Sequence, residues 1–214
     1  MLTVWQSTLS GVKAIADYVK RQFTFASGTP LEEVSNTLGS LNGNATIAGN
    51  KLVLGSGYSY MAWPNLTFGV NEDFTYEAWV NITSLPIGQA GIMSTWNNGG
   101  QGNNGYLLYV ISGIVQFYFT TADQSTTVTV NGPSISLGVP HHVAVSRTNG
   151  VIRVFVDGVS GAPVTNQVGC FVSTLPVRTA WSNPSTSFIG SIWNIRQTKN
   201  MSLYTANFTP PTTL

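Results

Sequence analysis

The stretch His141–Gly158, HHVAVSRTNGVIRVFVDG, constrains the fold more than any other part of the chain. Two runs of alternating apolar and polar residues flank Asn149-Gly150, a dipeptide suited to a type I′ turn, whose central positions both need φ > 0. A two-residue loop sets the register. Thr148 faces Val151, Arg147 faces Ile152, Ser146 faces Arg153, Val145 faces Val154, Ala144 faces Phe155, Val143 faces Val156 and His142 faces Asp157. Directly opposed residues share a face of the sheet. Val143, Val145, Ile152, Val154 and Val156 therefore form a core face, while His142, Ser146, Arg153, Phe155 and Asp157 form a mixed face expected to be partly solvated. A sheet with one dry and one wet face is antiparallel and belongs to a sandwich or barrel.

Similar strands follow one another from residue 51 onward. Lys51–Leu54 leads into Tyr58–Trp63, and Phe74–Ile82 alternates so that Phe74, Tyr76, Ala78, Val80 and Ile82 oppose Thr75, Glu77, Trp79 and Asn81. Gly91–Trp96, the pair Tyr106–Ile111 and Ile114–Thr120, and Phe188–Gln197 continue the pattern, with a short strand near Val177–Trp181. Val128–Val130 and Ser134–Leu137 read as two strands around an Asn131-Gly132-Pro133 turn. Close spacing of many short strands points to a two-sheet sandwich. Only 8% of residues are charged, while apolar content is ordinary, so the surface is polar without being ionic. A net charge of +1 gives no basis for nucleic-acid binding. The one cysteine, Cys170, has no partner for a disulfide and reads as a small buried thiol.

Residues 1–40 differ, and a domain boundary is expected between them and 41–214. Leu9, Val12, Ile15, Val19 and Phe23 recur every three to four positions, the spacing of a helix of about 14 residues capped by Ser10. A helix that short needs a partner for its apolar stripe. The partner is either its own domain or a neighbouring copy or larger assembly, which would make these five residues an attachment or self-association element. The N-terminus lacks the pattern of a signal peptide, and the longest apolar run, Tyr106–Phe119, is broken at Ser112-Gly113, so no membrane insertion is expected. The Asn-x-Ser/Thr triplets at Asn44, Asn65, Asn81, Asn200 and Asn207 read as composition.

The order Tyr58–Met61, Asp73-Phe74-Thr75-x-Glu77-Ala78-Trp79-Val80, His141-His142-Val143-Ala144-Val145-x-Arg147 and Ile152–Gly158 resembles the concanavalin A-like, laminin-G-like jelly-roll superfamily. The closing segment, Phe188–Ile192 through Arg196–Lys199 and then Leu203-Tyr204-Thr205-x-Asn207-Phe208-Thr209-Pro210-Pro211, resembles the form found in bacteriophage virion proteins. The resemblance implies an all-β, two-sheet antiparallel jelly roll with a short N-terminal helical extension. It further implies a non-enzymatic component of a virion, as a head decoration, fibre or tail protein. Its partners would be other capsid or tail proteins and further copies of itself, in a homotrimer. The alternative on the same fold is a host-surface adhesin that binds carbohydrate. Val139-Pro140 stands where the family usually has a Trp, and Trp193 where an acidic residue is common. Both departures weaken the carry-over of a family cation site, and no cofactor is expected.

Glycoside hydrolysis needs two carboxyl groups on one face, about 5–10 Å apart. Asp73 and Glu77 share a face but lie about 13 Å apart along a strand, and Asp73 suits a turn at the strand's start. His141 and His142 point to opposite faces and cannot share one metal ion, and His142 is expected to pair with Asp157. Sugar binding has a better candidate in the loop carrying Trp96, Asn97, Asn98, Asn103 and Asn104, which combines an aromatic plate with amides. The same composition also suits a plain long turn.

Overall fold

Asn149 and Gly150 adopt φ of 48° and 80°, and the hairpin they turn has the expected register at each pair from Thr148↔Val151 to Val143↔Val156. The computed structural model describes residues 15–55, 57–64, 68–85, 88–95, 105–173, 175–180 and 189–213. In chain order its elements are α1 (Ile15–Tyr18), β1 (Val19–Phe23), β2 (Leu31–Glu32), β3 (Thr37–Leu38), β4 (Ser40–Asn42), β5 (Thr46–Ala48), β6 (Lys51–Leu54), β7 (Tyr60–Trp63), β8 (Phe74–Ser84), β9 (Ala90–Ser94), β10 (Tyr106–Ile111), β11 (Ile114–Thr120), β12 (Thr127–Ser134), β13 (His141–Thr148), β14 (Val151–Val156), β15 (Val159–Ser160), β16 (Val164–Thr165), β17 (Val177–Thr179) and β18 (Ile189–Lys199).

Among the described residues these strands make two large antiparallel sheets and the small hairpin β2-β3. The larger sheet runs β15-β14-β13-β8-β18-β6-β5, with β1 beside β18 and β16 beside β14; the other runs β12-β11-β10-β9-β17-β7-β4. Between them lies one core. Phe74, Tyr76, Ala78, Val80 and Ile82 of β8 join Val143, Val145, Ile152 and Val154 from one sheet and Met61, Met93, Leu108, Val110 and Phe117 from the other. Each large apolar side chain so buried stabilises the fold by roughly 1.5–3 kcal/mol before entropy is counted. The alternation read from the sequence is therefore the alternation that fills the sandwich.

Three local expectations change. First, the helix among the described residues is only Ile15–Tyr18, and Val19–Phe23 is a strand paired with Thr198–Ile195 of β18. Positions four apart serve a helical stripe and one face of a strand equally well. Beyond its bulge β18 offers β1 a place to pair, and Phe23 packs fully buried against Trp63, with ring centroids 5.1 Å apart. The larger sheet thus includes residues N-terminal to position 41. Second, Asn131-Gly132-Pro133 is no turn: β12 runs through it with a bulge opposite Ile114–Gln116. Gly132 is needed there because a Cβ would come within 2.5 Å of Val154 Cγ1.

Third, most of the second face of the hairpin is covered, with Arg153 half-buried and Asp157 alone exposed. His142, Ala144, Ser146 and Phe155 are all buried, because residues 201–213 lie across the larger sheet as an irregular strap. Tyr204 and Phe208 stack on each other at 3.5 Å, and both rings meet Phe155 and His142 edge-on. Polar ties fasten the rest. Leu203 N–H donates to Thr75 Oγ1, Phe208 N–H to Gly158 O, Ser160 N–H to Asn207 Oδ1 and Trp79 Nε1–H to Pro211 O. Alternation tells which residues share a face, but not what will cover it.

Candidate functional site

Chemistry at a carboxylate requires one that is available, and the chain holds eight acidic residues, all described. Each is engaged within the molecule. Glu77 stands on β8 beneath the strap with no exposure. Its Oε1 accepts from Arg196 Nε at 2.5 Å and pairs with Nη2, while Oε2 accepts from the Tyr204 hydroxyl at 2.6 Å and from His142 Nε2 at 2.9 Å. Burial pushes this carboxyl up, but the hydrogen bond from His142, the Arg196 guanidinium and the Tyr204 hydroxyl outweigh it and hold the group below its ordinary value. A general acid needs the reverse shift and an open face.

The other acids fasten loops. Asp73 accepts from Asn149 N–H and pairs with buried Arg147, which also donates to Asn71 O. Buried Glu32 accepts the N–H groups of Gln22, Val34 and Ser35. Glu33 holds Thr24 N–H, Glu72 holds Gly69 N–H and Lys199, Asp123 holds Ser125 N–H and Thr121, and Asp17 too has a partner.

The two histidines do point apart. Asp157 takes its side-chain contact from His141 rather than His142: His141 Nδ1 lies 2.7 Å from Asp157 Oδ2, while His142 reaches Asp157 through its backbone N–H and turns its ring to Glu77. The pairing expected for His142 is corrected because that ring is on the strap side. Ser136 Oγ sits 2.9 Å from His141 Nε2, which completes the distances of a nucleophilic triad. The surroundings do not suit one. Ser136 N–H is turned to the same Nε2 and Gly138 N–H to Ile82 O, so two nearby backbone donors that could serve an oxyanion are engaged. The ring instead pins the β12–β13 connection. Among the described residues no three His, Cys, Asp or Glu side chains are grouped to hold a metal ion.

What the molecule does offer is an uncharged polar and aromatic strip on the outer face of the seven-stranded sheet. Register places Tyr109, Gln116 and Asn131 in one row across β10, β11 and β12, and Leu107, Tyr118 and Thr129 in the next. The Tyr109 hydroxyl donates to Gln116 Oε1 at 2.5 Å, and Gln116 Nε2–H donates to Asn131 Oδ1 at 2.8 Å. The amides are thereby oriented before any ligand arrives. Burial, then the neighbouring Tyr118, raises the Tyr109 phenol above its ordinary value, so the hydroxyl stays protonated. Tyr118 and Gln116 are half-buried, and Asn131 and Thr129 exposed. The period-two pattern of Val115-Gln116-Phe117-Tyr118-Phe119 already sets Gln116 and Tyr118 opposite the core, a signal the loop composition overshadowed.

Trp96, Asn97, Asn98, Asn103 and Asn104 lie outside the described residues. The described ends of their loop are tied together by Thr95 N–H to Tyr106 O and Tyr106 N–H to Thr95 Oγ1, both 3.0 Å. That neck is one residue pair from Leu107↔Tyr118. Of the proposed attachment residues, Leu9 and Val12 also lie outside the described residues, and Ile15 is 49% exposed. Val19 and Phe23 are buried in the sandwich and are not available for docking.

Two antiparallel sheets over one core, with a ring-and-amide face, define a lectin-like jelly roll. The chain belongs to the concanavalin A-like lectin/glucanases superfamily, whose laminin G-type model matches residues 55–197. No curated protein matches it in sequence. Among solved structures it is similar to domain 4 of AbnA, a GH43 extracellular arabinanase from Geobacillus stearothermophilus, in complex with arabinotriose. That similarity has a TM-score of 0.65 at 17% identity, over 87% of this chain and 94% of that one. It is similar also to the binding domain of botulinum neurotoxin serotype D (TM-score 0.68, 12% identity, 88% of this chain and 49% of that one). A third is Trypanosoma rangeli sialidase in complex with sialic acid (TM-score 0.62, 19% identity, 88% and 31%). The chain spans about half or less of the length of the toxin domain and the sialidase.

Proposed function

We propose that the chain is a non-enzymatic contact module that binds carbohydrate on the outer face of the seven-stranded sheet, at Tyr118, Gln116 and Asn131. The observation that carries this is the row Tyr109–Gln116–Asn131, ordered by its own hydrogen bonds beside a half-buried aromatic ring. Sugars are held by an aromatic plate together with fixed amides and hydroxyls. The engagement of all eight carboxylates supports a role without catalysis. The arabinanase domain seen with arabinotriose supports a sugar ligand on this fold. The test is a glycan array followed by calorimetry. Tyr118→Ala and Asn131→Ala are expected to weaken the best neutral ligand at least about tenfold, or about 1.4 kcal/mol each, with unchanged melting. Trp96→Ala tests whether the adjoining loop takes part. Undiminished binding by Tyr118→Ala would sink the assignment, and polysaccharide cleavage abolished by Glu77→Gln would make the protein an enzyme.

The setting we propose is a bacteriophage virion, in the head or tail, with the segment before β1 joining the module to its own copies or to other virion proteins. The virion setting rests on the resemblance of the closing segment; what favours docking by the segment before β1 is that α1 has no buried residue and leaves Ile15 exposed directly before the chain enters the sheet. Deleting residues 1–18, which spares β1, is expected to leave a folded module that fails to join particles and loses its oligomeric state, a trimer on this reading. Normal incorporation of the truncated protein refutes it.

A further inference from the structure

On the other sheet, away from the strip, an open groove of about 460 Å³ runs between the β5–β6 turn and the bulge of β18. Its walls include Thr24, Asn50, Lys51, Trp193, Asn194 and Thr213. Two backbone devices build it. Gly49 and Asn50 both have positive φ, 55° and 59°, between the paired residues Ala48 and Lys51, which gives a tight turn that holds Asn50 at the rim. Asn194, with φ 48°, bulges β18 outward beside Trp193, and its amide N–H donates to Thr212 O.

The side chains form a ladder across β8, β18 and β6. Trp79 and Trp193 are nearly parallel, 18° apart at 6.1 Å, and Lys51 Nζ lies 4.1 Å from the Trp193 ring centroid. The eight Asp and Glu side chains make their contacts elsewhere, and among the described residues none pairs with Lys51. An ammonium carries three N–H donors and no acceptor, and a ring face satisfies one of them. The Asn50 carboxamide makes no hydrogen bond to the described residues. The groove therefore combines a cation and an amide that have no carboxylate or hydrogen-bond partner among the described residues with an apolar indole wall, in a volume within the range of small-ligand pockets.

We propose that this groove binds a carboxylated sugar, a hexuronic or sialic acid residue of a glycan. Lys51 takes the carboxylate in a charge-assisted hydrogen bond, Trp193, flanked by Trp79 and Lys51, offers its edge to the C–H groups of the sugar ring, and Asn50 hydrogen-bonds a hydroxyl. A neutral sugar would leave the ammonium with water alone. An inorganic anion would leave the indole and the amide unused.

The test is calorimetry on the full chain with oligogalacturonate and sialyllactose, each beside its uncharged counterpart. Wild type is expected to bind at least one acidic ligand at least tenfold more tightly than its neutral partner, with affinity falling several-fold as salt rises from about 0.05 to 0.5 M, where the Debye length shortens about threefold. Lys51→Met keeps an aliphatic chain against the ring and removes the charge; it should abolish the acidic preference while leaving melting unchanged. Lys51→Arg should restore it, and Asn50→Gly, which keeps the positive φ of the turn and removes the amide, should weaken both ligands. Acidic binding that survives Lys51→Met, or the absence of acidic binding at millimolar ligand, overturns the proposal. If Tyr118→Ala removes acidic binding and Lys51→Met does not, this groove is refuted while the strip stands. If Lys51 governs acidic binding and no ligand depends on Tyr118, the groove stands and the strip falls.

Discussion

Replacing Glu77 by Gln keeps the size of the side chain and removes its charge, so it isolates what the buried ion pair contributes. Glu77 has no exposure and Arg196 has 15%, and the carboxylate also receives the Tyr204 hydroxyl and His142 Nε2–H. Removing one partner of a buried pair typically costs about 3–5 kcal/mol. The lower end applies here, because part of the guanidinium reaches water and a carboxamide can still accept from it. About 3 kcal/mol corresponds to a fall in Tm of about 6–12 °C for a chain of this size. The pH dependence has a definite sign. The folded carboxyl titrates below the ordinary value of 4.5, so its stabilisation is complete above that value and is lost as the pH falls through the depressed one. Urea titrations at pH 7 and pH 3 should therefore show a wide gap between wild type and variant that narrows in acid. Adding Arg196→Met to the variant should recover part of the loss, since the orphaned charge goes with it. A Tm within 2 °C of wild type at pH 7, or a gap of equal size at both pH values, refutes the reasoning.

Three further outcomes are expected. Gly158 has φ 78°, and a Cβ there would lie 1.8 Å from Phe208 O; Gly158→Ala should lift the strap, lower Tm and raise dye binding at the uncovered Phe155 face. Phe23→Ala should destabilise by about 3–5 kcal/mol, whereas Ile15→Ala should stay within about 0.5 kcal/mol; equal effects in denaturation would mean that β1 is not part of the core. Burial pushes the Cys170 thiol up to about 12 against the pull of Arg147, so it should resist alkylation at pH 8 until urea is added, and rapid labelling of the native protein would contradict its placement.

Sequence order was enough for the hairpin because Asn149-Gly150 leaves one loop length and hence one register, and for β8 because one face is apolar at every second residue. It was not enough for β1. Val19 and Phe23 fit both periodicities, and the choice is made by β18, more than 170 residues away. Nor was it enough for the strap, whose Tyr204 and Phe208 sit four apart in a Pro- and Thr-rich tail that continues neither a helical nor a strand pattern. Their stacking is set by the shape left between Phe155 and His142. Asn131-Gly132-Pro133 has turn composition, yet the close approach of β14 is what calls for a glycine. The site was legible only in its chemistry of rings and amides: alternation marks Gln116 and Tyr118 as outward, but their alignment with Asn131 depends on pairing across three strands.

The low charge and the placement of the carboxylates have a joint consequence for recognition. Glu32, Glu72, Asp73 and Glu77 are buried or half-buried and hold N–H groups and cations, and the exposed Asp17, Glu33, Asp123 and Asp157 lie outside the strip and the groove, which are left with rings, amides, hydroxyls and one cation. Such sites repel neither neutral nor acidic glycans, and they lack the carboxylates with which a protein would grip a cationic ligand. Glu77 shows how far the arrangement goes. On a face that could have been a cleft, the one carboxylate is taken by Arg196 and His142 from the sheet and by Tyr204 from the strap. Closing that face turns recognition, among the described residues, toward the opposite sheet and the Trp193 groove.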